Sequence, residues 1–166
     1  MVARRQRERG AAAVEAALVL CFIVLPLIFA VIAYAYMFSF RQALSQAADE
    51  GARAAVGAPT SGTCSASTAP ASFTSAACPA QYAAVQAVQS ALGQYNMSCV
   101  SSTAAVTDTS HLACSVPPPG SCNTTHTCIT VTLSYPYRDH SLLPTVPGLG
   151  FTLPSTLTFT SVVEVS

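Results

Sequence analysis

The chain has 166 residues, 51% of them hydrophobic and only 8% charged, a balance unusual for a soluble protein and one that implies contact with lipid. The formal net charge of +0 hides an asymmetry, because Arg4, Arg5, Arg7 and Arg9 crowd the N-terminus while the rest of the chain is nearly uncharged. Nucleic acid needs arginines spread over a folded face, so no nucleic-acid partner is expected of this short basic arm.

Residues 1–10 read as a cytoplasmic basic leader. From Ala16 to Phe40 no side chain is charged, and at about 1.5 Å per residue such a helix exceeds the roughly 30 Å hydrocarbon core of a bilayer. Arginines ahead of this span put the N-terminus in the cytoplasm and everything after Phe40 outside. Pro26 should interrupt the helix, since it lacks an N–H and its ring crowds the preceding turn. Helix formers continue from Arg41 to Val56, with Asp49 and Arg53 four apart and Gly57 and Pro59 as stop signals. The expectation is one long helix over 11–57. Ala43, Ala47, Gly51 and Ala55 form a small-residue stripe along it that lets a helix or sheet approach closely; plain alanine richness is the other reading.

Glu15 stands at the start of the span, where a carboxylate is costly unless it is paired, protonated or reaches the headgroups. It either snorkels to the interface or belongs to a motif formed by the arginine arm, Gly10, Ala11-Ala12-Ala13-Val14 and Glu15. That spacing resembles the type IV prepilin signal, which a membrane aspartic peptidase cuts after the glycine. A cut between Gly10 and Ala11 would create an α-amino group about one helical turn from Glu15, a cation for a carboxylate in lipid.

Arg9-Gly10-Ala11-Ala12-Ala13-Val14-Glu15-Ala16-Ala17-Leu18-Val19-Leu20, with Arg41-Gln42-Ala43-Leu44 and Asp49-Glu50-Gly51-Ala52-Arg53-Ala54-Ala55, resembles the TadE-like pseudopilins of tight-adherence (Flp) pilus systems. Ile129 to Tyr137 resembles the family more loosely, and Ala16 stands where the family usually has a large aromatic residue. The resemblance implies a minor pilin-like subunit in the cytoplasmic membrane, processed by prepilin peptidase, with lipid and other pilin-like helices as partners of its N-terminal helix and a role in pilus assembly, adhesion or secretion.

Residues 58–166 read as an extracytoplasmic head. Cys64, Cys78, Cys99, Cys114, Cys122 and Cys128 all follow the span, an even set that reads as a disulfide framework in an oxidising compartment, while Cys21 is left as a buried small hydrophobe. Six cysteines permit fifteen pairings, of which pairing between sequence neighbours is the one adopted. Between Ala58 and Ala77 the sequence reads as a pinned loop. Pro79 opens a helix to about Gly93 with Tyr82, Val85, Val88 and Leu92 on one face. Strands are expected near Met97–Thr107 and Leu112–Val116, and more clearly at Ile129–Leu133 and Thr156–Val165, whose period-two alternation predicts a half-buried antiparallel sheet. Prolines and glycines between Pro136 and Pro154 make a long connection. The fold class is α+β: a long N-terminal membrane-spanning helix packed on a small antiparallel sheet domain of pilin-like layout, stabilised by disulfides.

No nucleophile elbow, paired carboxylates or phosphate loop appears, so no catalytic residue, enzyme activity or cofactor is expected. His111, His126 and His140 stand among the cysteines, but C-x₂-C spacing is missing and no metal is expected. Asn96-Met97-Ser98 and Asn123-Thr124-Thr125 fit the glycosylation sequon, which matters only in a glycosylating host. Two alternatives compete with the pilin-like reading: a secreted protein cut by signal peptidase after Ala35, where Ala33-Tyr34-Ala35 fits the A-x-A rule, and a single-pass adhesin or binding module that keeps its whole N-terminus.

Overall fold

The apolar run and the polar stretch behind it form one helical rod. The computed structural model describes residues 2–62, 64–65, 68–102, 106–122, 126–142 and 153–165, with side chains from residue 10 onward. Helix α1 (Val2–Val19) already includes the basic arm, and α2 (Leu25–Val56) carries the rod into the head. The interruption expected at Pro26 takes the form of a π-helical turn, Leu20–Val24, just ahead of it, in which the Leu25 N–H donates to the Leu20 carbonyl five residues back. Proline gives the Phe22 carbonyl no hydrogen bond and crowds it, and widening the preceding turn accommodates that loss. α2 ends at Val56, where the Gly57 N–H caps the Arg53 carbonyl at 3.2 Å.

Burial divides the rod sharply. Side chains from Ala11 to Tyr36 are exposed or half-exposed, whereas Met37, Phe40, Leu44, Ala47, Ala48, Gly51, Ala52 and Ala55 are buried. Their spacing of three and four residues defines one stripe of the helix. The stripe is mostly small because two elements press on it. A Cβ added to Gly51 would lie 2.7 Å from Val88 Cγ2, 3.3 Å from the Ala84 carbonyl and 3.5 Å from Val131 Cγ1. The expected small-residue stripe thus serves close packing within the head, with Ala43 only half-buried at its margin.

Helix α3 (Pro79–Ala91) starts on its proline and runs antiparallel to α2: Ala84 and Val88 meet Gly51, while Tyr95 beyond its end meets Tyr36 and Phe40. Its core face is Ala80, Gln81, Ala84, Val85 and Val88, continued by Leu92, and Tyr82 is turned outward. The face differs from the one expected because close helix packing selects the alanines over the larger tyrosine. A 3₁₀ turn, Gly93–Tyr95, follows, and the chain reverses at Asn96 with φ 51°, a left-handed conformation that asparagine tolerates.

The sheet contains β1 (Ser98–Ser101), β2 (His111–Ser115), β3 (Gly120–Ser121), β4 (Thr127–Tyr135) and β5 (Leu157–Val165). β4 is central: β2 and β3 pair with one of its edges and β5 with the other along its whole length, all antiparallel. β1 pairs with β2 in parallel, Cys99 opposite Leu112. The sheet is therefore mixed, which corrects the all-antiparallel expectation; alternation reports which side of a strand is buried and carries no information on strand direction. On the inner side Ile129, Val131, Leu133 and Tyr135 are buried against α2, which packs across β4 and β5. The outer side carries a hydroxyl ladder, with Thr132 facing Thr160 at 3.1 Å and Ser134 facing Thr158 at 3.3 Å.

Three disulfides join sequence neighbours: Cys64–Cys78, Cys99–Cys114 and Cys122–Cys128, with Cα separations of 5.7, 5.4 and 5.5 Å. The first ties the segment after α2 to the start of α3, the second links the parallel strands β1 and β2, and the third joins the end of β3 to β4. Arg138 clamps the ends of the long connection by donating from Nε and Nη2 to the Leu153 carbonyl at 3.1 and 2.6 Å. Most of that connection, residues 143–152, and the sequon at 123–125 lie outside the described residues.

Candidate functional site

The N-terminal half of the rod is the part of the chain that the head leaves uncovered. Gly10–Val56 has the length and apolar character to cross a membrane, and its most hydrophobic window, of mean hydropathy 3.1, is 0% buried. Large apolar side chains stand out on all sides of it, Phe22 at 75% exposure and Val14 at 62%. A helix that is apolar all round needs an apolar medium or other helices to cover it.

Gly10, Ala11 and Glu15 occupy this uncovered helix, each exposed. A Cβ at Gly10 would meet nothing within 4 Å, so no packing need in the chain explains a glycine there. Helical rise places Glu15 about 6 Å along the axis from Ala11, within reach of an amino group created at Ala11. Glu15 makes no ion pair among the described side chains. In lipid its charge would need a partner from outside this chain or from a new N-terminus. Cys21, expected to be buried, is exposed and unpaired in the π turn; burying it requires lipid or a neighbouring subunit, because the head lies beyond its reach.

Where the rod enters the head, two rings of the helix, Tyr36 and Phe40, cluster with three of the head, Tyr95, Tyr135 and Tyr137. Phe40 meets Tyr95 and Tyr135 edge-on at 5.0 and 5.2 Å and stacks on Tyr137 at 6.0 Å, and Tyr36 meets Tyr95 at 6.2 Å. Burial pushes the Tyr135 phenol up to about 12, and its hydroxyl donates to the His140 carbonyl at 2.7 Å. Burial also raises Tyr137. Amphipathic rings at the end of an apolar span suit the boundary between lipid and water.

Two histidine–carboxylate pairs were not anticipated. His111 Nδ1 lies 2.6 Å from Asp108, and the Ser110 hydroxyl and backbone N–H hold the Asp108 carboxyl down at about 2. The Asp-x-Ser sequence ahead of His111 is a local turn signal that points to this pair. His126 pairs with Glu164 across the β4–β5 register, a contact with no local signal. The cysteines beside these histidines are oxidised in pairs, and no three His, Cys, Asp or Glu side chains converge among the described residues.

No curated protein and no solved structure matches the chain. A family match falls on the rod: it begins at Gly10, includes Glu15 and the span, and ends at Arg53 near the close of α2. The uncovered helix and the packed stripe that follows it, residues 10–53, match the family of the TadE-like protein, and the chain therefore carries a TadE-like segment.

Proposed function

We propose that the protein is a minor pilin-like subunit of a tight-adherence type IV pilus or a related secretion machine. In this reading prepilin peptidase removes residues 1–10, the helix from Ala11 sits in the cytoplasmic membrane with its head outside, and the chain acts as a structural partner of other pilin-like helices with no catalytic role. One observation carries the proposal: the N-terminal part of a TadE-like helix, apolar on every side and left uncovered by the head, holds one carboxylate, Glu15, five residues beyond a glycine that the fold does not require. An assembly of such helices would cover the apolar surface, and the amino group at Ala11 would neutralise Glu15 of its own or a neighbouring subunit.

A second reading draws on one feature of the fold. Full burial begins at Met37, with Tyr36 in ring contact with Tyr95, so a cut after Ala35 would take only the half-buried Tyr34 from the margin of the head core. Mass spectrometry of the N-terminal peptide from native membranes and medium separates the readings. A chain starting at Ala11 in the membrane or in sheared pili is the expected result. A start at Tyr36 in the medium, or an uncut arginine arm, overturns the proposal.

A further inference from the structure

Away from the rod, the head contains a cleft of about 420 Å³ between α3, the 3₁₀ turn Pro70–Ser72 and the outer strand β1. One stripe of α3 lines it: Tyr82, Gln86 and Gln89 recur at four and three residues and so share a side of the helix. Phe73, Ser98 and His111 supply other parts of its lining. Tyr82 and Gln86 are exposed although the opposite side of the same helix is packed tightly on α2. The side of α3 that α2 leaves free thus presents an aromatic ring and two amides to the cleft.

We propose that this cleft binds a neutral saccharide ring. Its lining among the described residues has no arginine, lysine, aspartate or glutamate, so it is not built for an ionic ligand. It has two primary amides, each both donor and acceptor, together with a phenol and a hydroxyl, and such groups match the paired donor and acceptor hydroxyls of a sugar. The face of Tyr82 offers the electron-rich surface on which the C–H side of a pyranose packs. Asp108 holds His111 through Nδ1, which orients the ring and leaves Nε2 as the polar atom available to a sugar hydroxyl. Pro70–Ser72 packs along β1, where an added peptide strand would otherwise pair, which disfavours a peptide as occupant. The α3 part of the lining runs from Tyr82 to Gln89, along most of the helix. A volume of this size is within the range of small-molecule sites.

The test uses the full chain in phospholipid nanodiscs without glycoside detergent, following the side-chain amide signals of Gln86 and Gln89 by ¹⁵N NMR. The probes are the methyl glycosides of glucose and galactose and N-acetylglucosamine, with glucuronate and glucosamine as charged comparators. Saturable shifts at millimolar concentration with at least one neutral sugar are expected, weakened about tenfold by Tyr82→Ala and by the exposed Gln86→Ala. Absence of saturable shifts with all three neutral sugars overturns the proposal. So does binding that survives Tyr82→Ala, or equal binding of a charged comparator. The result is independent of where the N-terminus is cut, so the cleft and the pilin-like reading fail separately.

Discussion

Replacing Gly51 by alanine tests the packing that joins the anchor to the head. In an open helix this change stabilises by about 1 kcal/mol, because glycine is the poorer helix former. At Gly51 the new methyl would stand 2.7 Å from Val88 Cγ2 and 3.3 Å from the Ala84 carbonyl, the first about 1 Å inside ordinary carbon contact. Val88 is β-branched on a helix and has little rotamer freedom, and the carbonyl belongs to the backbone of α3, so relief requires the helices to separate. A contact this short against groups that cannot yield separately falls in the upper part of the overpacking range, about 2–3 kcal/mol, which exceeds the propensity gain and leaves a net loss of about 1–2 kcal/mol. The melting temperature should fall by roughly 3–10 °C. Near-UV circular dichroism is a suitable assay, since without tryptophan its signal comes from tyrosines and disulfides of the packed head. Gly93→Ala, where a Cβ meets nothing within 4 Å, should be neutral or stabilising by a few tenths of a kcal/mol. Gly51→Ala with Val88→Ala should be less destabilised than the sum of the two single changes by about 1 kcal/mol. A Gly51→Ala variant that melts at or above the parent temperature refutes the close α2–α3 approach.

Removing Cys99–Cys114, which closes a separation of 15, should cost about 3 kcal/mol, and removing Cys122–Cys128, with a separation of 6, about 2 kcal/mol; denaturant melts of the paired serine variants give the ranking. Nonreducing peptide maps should recover the three neighbour pairs, and any crossed pair contradicts the sheet register. Tyr135 at about 12 and the raised Tyr137 should ionise after the ordinary phenols in an alkaline absorbance titration. A folded pKa above the unfolded value near 10 means that their contribution is complete below about pH 10 and is lost as pH climbs through about 12; six tyrosines titrating together would show the ring cluster to be open. Glu15→Ala should leave membrane insertion intact and reduce incorporation into pili or co-purification with other pilin-like chains several-fold, and unchanged incorporation removes the assembly role given to Glu15.

Much of the rod was legible in the sequence because its signals are local. A charge-free run, a basic flank and a Gly57–Pro59 stop each act within a few residues of the structure they dictate. The disulfide pairing could not be deduced from the sequence, where fifteen arrangements stood open; the structure shows the neighbour pairs that were chosen among them. The parallel β1–β2 pair was not legible, since hydrophobic alternation at Cys99 and Leu112 is the same whichever way the strands run. The rotated face of α3 was missed because a hydrophobicity pattern favours Tyr82, whereas the space beside Gly51 admits only Ala84 and Val88. His126 and Glu164 are distant in sequence and meet only through the β4–β5 register, and the burial expected of Cys21 in the apolar run is not supplied by the chain itself.

The placement of Phe40 has a mechanical consequence. The rod enters the head as one continuous helix, so a load on its N-terminal part reaches the head through packed side chains, among them this ring against Tyr135, on the strand that is hydrogen-bonded to neighbours on both flanks. A pull along the rod would thus be shared by α3 and the two long strands packed on it, and a junction without a loop would transmit it with little give.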